Sequence, residues 1–94
     1  MEKSTFTRHY AGLTERLRRM RREAGLSQRQ LARRLRREQT MVARVERGER
    51  RLDLVEFYWY CLALKVDSAK AASNFLRECR RQDRVESKAG PGRP

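Results

Sequence analysis

The chain has 94 residues, with 24 Lys or Arg against 12 Asp or Glu and a formal net charge of +12. A chain of this length suits one domain around one small core. It has no apolar stretch long enough to span a bilayer and no apolar run of a secretory signal in MEKSTFTRHYAG. Cys61 and Cys79 form no CxxC pair, so both are expected as reduced thiols in a cytoplasmic protein.

The periodicity predicts five helices and no strand. Over residues 7–24, Leu13, Leu17, Met20 and Ala24 fall at i, i+4, i+7 and i+11, a single helical stripe. Gly25 is placed to end that helix in the left-handed region. Ser27 and Gln30 make a Ser-x-x-Gln capping box that opens a second helix, ending near Leu35. Residues 36–38 form a short link to a third helix over residues 39–47, which Gly48 stops. Asp53 with Glu56 caps a fourth over residues 54–64, and Ser68 is expected to cap a fifth that reaches about residue 82. Domain boundaries follow: a flexible N-terminus (1–8), the folded domain (9–82) and a polar, Gly/Pro-containing disordered tail (83–94).

Charge is concentrated within this order. Residues 16–51 hold fourteen arginines and four acids, a net of +10, whereas residues 1–15 sum to zero and residues 52–94 to +2. A solvated face accounts well for mixed charges and poorly for one-signed ones, because like charges repel. A field of this kind implies an anionic partner, either nucleic acid or an anionic membrane. No catalytic constellation is present: there is no Ser/His/Asp set, no paired carboxylates in a cleft and no glycine-rich phosphate loop. His9 stands alone, so no metal and no cofactor are expected. Cys61 is expected in the core with Leu54, Phe57 and Leu64, and Cys79 is read as a similar small hydrophobe.

Two short basic helices joined by a tight turn read as a helix-turn-helix over residues 28–47. Gln28, Ala32, Arg36, Val42 and Glu46 occupy relative positions 1, 5, 9, 15 and 19. The small Ala32 allows close approach of the two helices, and Val42 and Val45 seat the third helix on the second. On AGLSQRQLARRL, VARVERGER and LDLVEFYWYCLALKVD, residues 13–67 resemble the Cro/repressor-type (XRE-like) helix-turn-helix proteins. The resemblance implies an all-α bundle of about five helices with the third in the DNA major groove.

It further implies a sequence-specific transcriptional regulator, a repressor on a palindromic operator, binding double-stranded DNA as a homodimer. By position, Gln39, Thr40 and Arg44 are expected to read bases. Gln39 suits adenine and Arg44 guanine. Gln28, Arg29, Arg37, Arg47, Arg50 and Arg51 are expected at the DNA backbone, with Gln28 also bracing Gln39. Arg21 and Glu46 are expected as a structural ion pair. Arg36 and Lys65 stand where the family usually has glycine. The fourth helix is apolar on both sides, which makes Val55, Trp59 and Leu62, with Phe75, candidates for a dimer or partner contact. Two other classes share these features. One is a protein-interaction module on the same fold (antitoxin-like or polymerase-binding); the other is a non-specific nucleic-acid-binding basic protein. An enzyme is the remotest class, and no membrane partner is expected once the motif is taken into account.

Overall fold

The computed structural model describes residues 7–86. Among them the order is α1 (Arg8–Glu23), α2 (Gln28–Leu35), α3 (Gln39–Glu46), α4 (Leu54–Leu64) and α5 (Ser68–Glu86), with no strand.

Four of the five starts have a side-chain cap, whereas Glu38 at the start of α3 makes no capping hydrogen bond. Thr7 accepts from the Tyr10 amide and opens α1. Ser27 and Gln30 form a reciprocal capping box at α2, and Asp53 and Glu56 form one at α4. At α5 the cap is Asp67, whose carboxylate accepts from the Lys70 amide at 3.0 Å, and not Ser68 as the sequence suggests. An aspartate one position earlier satisfies the same free amides with a charged acceptor. α5 also runs four residues beyond the expected boundary at 82, to Glu86. The expectations for residues 1–6 and 87–94 lie outside the described residues.

The ends are closed alike. After α1 the Leu26 amide donates to the Arg21 carbonyl, after α2 Arg37 to Ala32, after α3 Glu49 to Arg44, and after α4 Val66 to Cys61. Such closures need one left-handed residue. Gly25 and Gly48 supply it at φ +77° and +79°, but Arg36 and Lys65 adopt it at φ +58° and +60°.

The core is small and drawn from four helices. Leu17 of α1, Leu31 and Ala32 of α2, Val42 and Val45 of α3, and Phe57, Tyr60, Cys61 and Leu64 of α4 are all buried together. Leu13 and Met20 pack against this cluster, and so do Ala71 and Ala72 of α5. Three expectations are corrected. Leu54 is 78% exposed and not a core partner of Cys61; α4 turns Phe57, Tyr60, Cys61 and Leu64 to the core instead. Ala24 is the exposed C-cap of α1 rather than part of its buried stripe. Cys79 is only half-buried.

Candidate nucleic-acid interface

Glu46 fixes α3 to the rest of the molecule. Its carboxylate accepts from Arg21 Nε at 2.6 Å and Nη2 at 3.0 Å, and from Gln28 Nε2 at 3.0 Å. Arg21 Nη1 also donates to the Leu26 carbonyl at 2.8 Å, and Arg18 reaches the Glu46 carbonyl at 3.3 Å. The pair is largely shielded, with side chains 11% and 3% exposed for Arg21 and Glu46. Burial by itself raises the Glu46 carboxyl. The hydrogen bonds from Arg21 and Gln28 outweigh it and hold the group below its ordinary value. α1, α2 and α3 are thereby tied at one point.

This arrangement corrects the role expected of Gln28. Its amide is bound to Glu46 and does not brace Gln39. The physical reason is that a buried carboxylate has lone pairs beyond those a single guanidinium fills, and they need donors. The side chain that reaches Gln39 is Arg29, with Nε 3.4 Å from Oε1.

With Val42, Val45 and Glu46 turned inward, α3 leaves its other side in solvent. Gln39, Thr40 and Arg44 are all exposed on it. Arg29, Arg33, Arg37 and Arg47 are exposed around the same motif. Several of these cations already have acidic neighbours. Arg47 makes a double contact with Glu49 at 3.0 and 3.1 Å, both side chains in solvent. Arg50 grips Glu56 at 3.2 and 3.0 Å, and Arg37 lies 3.7 Å from the same carboxylate. The Arg50 contact holds Glu56 below its ordinary range. Arg51 stacks over the Tyr10 ring at 4.6 Å, while the Tyr10 hydroxyl donates to the Arg50 carbonyl at 2.7 Å. The segment after α3 is thus held against the start of α1.

Sequence reasoning missed these clamps. Glu49 two residues after Arg47 was a visible signal. Tyr10, forty residues from Arg50, offered none. The residues marked for contact separate as well. Val55, Trp59 and Leu62 are exposed along α4, whereas Phe75 of α5 is half-buried. Among the described residues no group of His, Cys, Asp or Glu is arranged to hold a metal ion, and no helix is long and apolar enough to cross a membrane.

Two short helices held at a tight turn, with the second exposing polar and cationic side chains, define a helix-turn-helix domain. A family model described as a helix-turn-helix domain matches residues 12–73. No curated protein matches the chain. Among solved structures, the chain is similar to an XRE-family like protein from Pseudomonas syringae pv. tomato str. DC3000. The identity is 36% and the TM-score 0.71, over 74% of this chain and 85% of that one. It is also similar to the clp gene regulator ClgR from Corynebacterium glutamicum, at 25% identity and TM-score 0.60, over 86% of this chain and 93% of that one. A point mutant of the restriction-modification controller protein C.Esp1396I shares the fold, at 20% identity and TM-score 0.70 over 88% and 100%. The chain belongs to the XRE-like helix-turn-helix DNA-binding family.

Proposed function

We propose that the protein is a sequence-specific transcription regulator, a repressor that binds a palindromic operator as a homodimer with α3 in the major groove. The observation that carries this reading is the exposed face of α3. Gln39, Thr40 and Arg44 stand free of the core there, on a helix fixed by the buried Arg21–Glu46–Gln28 network. In this reading Gln39, Thr40 and Arg44 meet base edges, and Arg44 donates both ends of its guanidinium to guanine. Arg29, Arg37, Arg47, Arg50 and Arg51 meet phosphates, and Gln28 faces the backbone from the start of α2.

The dimer contact falls on Leu54 and Val55 at the start of α4 and on Leu76 of α5, all exposed. Asp53 beside the first pair and Arg77 beside Leu76 are exposed too, charges of opposite sign next to the apolar residues of the two helices. A two-fold dimer then matches two half-sites.

Selection from random duplexes is expected to return a two-fold symmetric site. On that site, Arg44→Ala should cost about 1–3 kcal/mol and relax preference at one base position. Arg47→Ala should weaken preferred and scrambled duplex by the same factor. Equal losses for both variants on both duplexes refute base reading by α3.

A further inference from the structure

A groove of about 460 Å³ lies where the end of α2 meets α4. It is open and shallow, unlike an enclosed small-molecule pocket. Its floor is apolar: Leu35, Trp59, Leu62 and Ala63. Its rim is Arg34 and Arg36, and no acidic residue lines it. None of the residues exposed on α3 takes part.

Three features go beyond an accidental apolar patch. Trp59 keeps 47% of its surface in solvent, and Leu62 beside it is also exposed. Neither is needed by the core, which α4 builds from its opposite side with Phe57, Tyr60, Cys61 and Leu64. The groove is also braced. Arg34 Nη1 donates to the Ala63 carbonyl at 2.8 Å, which ties the end of α2 to α4 across the groove that Arg34 and Trp59 both line. Finally, Arg36 occupies the left-handed position at φ +58°, where glycine has no steric penalty. The chain holds a strained cation at the groove edge, where the easier residue would leave Arg34 as the one charge lining it.

We propose that this groove docks an acidic amphipathic helix carried by a partner protein, its bulky apolar residues seated on Leu35, Trp59 and Leu62 and its carboxylates facing Arg34 and Arg36. The charge selects this occupant. A second copy of this chain, itself strongly basic, would face arginine rims with arginine rims. A helix with apolar residues at i, i+3 or i+4 and i+7 is the ligand that a shallow apolar groove accepts. Tryptophan and arginine are the side chains that most often dominate such contacts. The groove and the proposed base-reading residues of α3 do not overlap.

The probe is a displayed library of helical peptides, randomised at surface positions among Leu, Phe, Glu, Gln and Lys and panned against the full chain. Enrichment of peptides with an apolar stripe flanked by Asp or Glu is expected, and Asp is supplied by a second library in place of Glu. A synthetic representative should lose at least tenfold in affinity on Trp59→Ala and severalfold on Arg36→Gly, and should weaken as salt rises. Arg36→Gly relieves backbone strain, so its loss of binding is not a loss of fold, and circular dichroism checks Trp59→Ala. The proposal is overturned if no peptide enriches, if the enriched peptides are basic, or if both variants bind as the parent does. It is also overturned if sedimentation shows a dimer that Trp59→Ala dissolves, since the occupant is then a second copy.

Discussion

Glu46 is the residue on which the geometry of the reading helix turns. Three donor atoms converge on its buried carboxylate from two side chains. Removing one member of such a set strands the other charge. Glu46→Ala is therefore expected to destabilise the domain by about 3 kcal/mol, the lower end for a broken buried pair. Thermal unfolding measures it, and a variant that melts like the parent but no longer binds DNA would mean that Glu46 faces the duplex. The same group sets a pH dependence. Its carboxyl lies below its ordinary value in the folded chain, whereas the unfolded chain titrates near the usual glutamate pKa of about 4.3. Its contribution is thus complete above that value and is lost as pH falls below it, because protonation then favours the unfolded chain. Glu46→Gln should flatten the fall in melting temperature over that acid range. The pairing of Arg21 with Glu46 is suggested in the sequence only through the motif. The role of Gln28 was not legible, because nothing in the spacing reveals that Glu46 keeps an unfilled lone pair.

At the scale of elements, caps and periodicity account for most of what the sequence shows. Ser27 with Gln30 and Asp53 with Glu56 mark two starts, and both boxes close. Gly25 and Gly48 mark two ends. The other two ends are closed by Arg36 and Lys65, residues that carry no stop signal, so their left-handed backbone was readable only against the family pattern. The fifth helix was harder to bound. Residues 80–84 carry no apolar side chain to mark its end, and its start competes between Asp67 and Ser68. Lys65 gives the cleaner test of end strain, since it is exposed and lies outside the proposed contacts. Lys65→Gly removes the clash between Cβ and the carbonyl oxygen, worth roughly 1–2 kcal/mol. It also loosens the unfolded chain, which returns about 0.5–1 kcal/mol. The expected net is a stabilisation between zero and about 1.5 kcal/mol, at about 4–8 °C of melting temperature per kcal/mol for a domain of this size. Lys65→Ala keeps the Cβ and should leave the melting point close to that of the parent. A fall on Lys65→Gly would mean that the lysine side chain contributes more than its backbone costs.

At the scale of the whole molecule the dominant feature is the positive field, and the structure shows which part of it is already spoken for. The sequence locates the excess between residues 16 and 51, but it does not show that Arg47 is held by Glu49 and Arg50 by Glu56. An arginine that exchanges a carboxylate for a phosphate releases fewer counterions than a free one, because its charge is partly matched before binding. Affinity for DNA is expected to fall with salt at about −0.9 in log–log slope per phosphate neutralised. For about 4–6 contacts per half-site, the parent slope should lie at or below that product, short by the cations that acids already hold. Glu49→Gln separates this account from a simple count of arginines. It lies outside α3 and takes the charged partner from Arg47, with Arg44 also within its field. Binding should tighten severalfold on preferred and scrambled duplex alike, and the slope should steepen by less than one contact, because Arg47 already meets a phosphate in the parent. Fluorescence anisotropy on both duplexes across a salt series measures both quantities. Affinity and slope both unchanged in Glu49→Gln would mean that Arg47 does not reach a phosphate. A flat salt response of the parent itself means that the field serves a partner other than DNA.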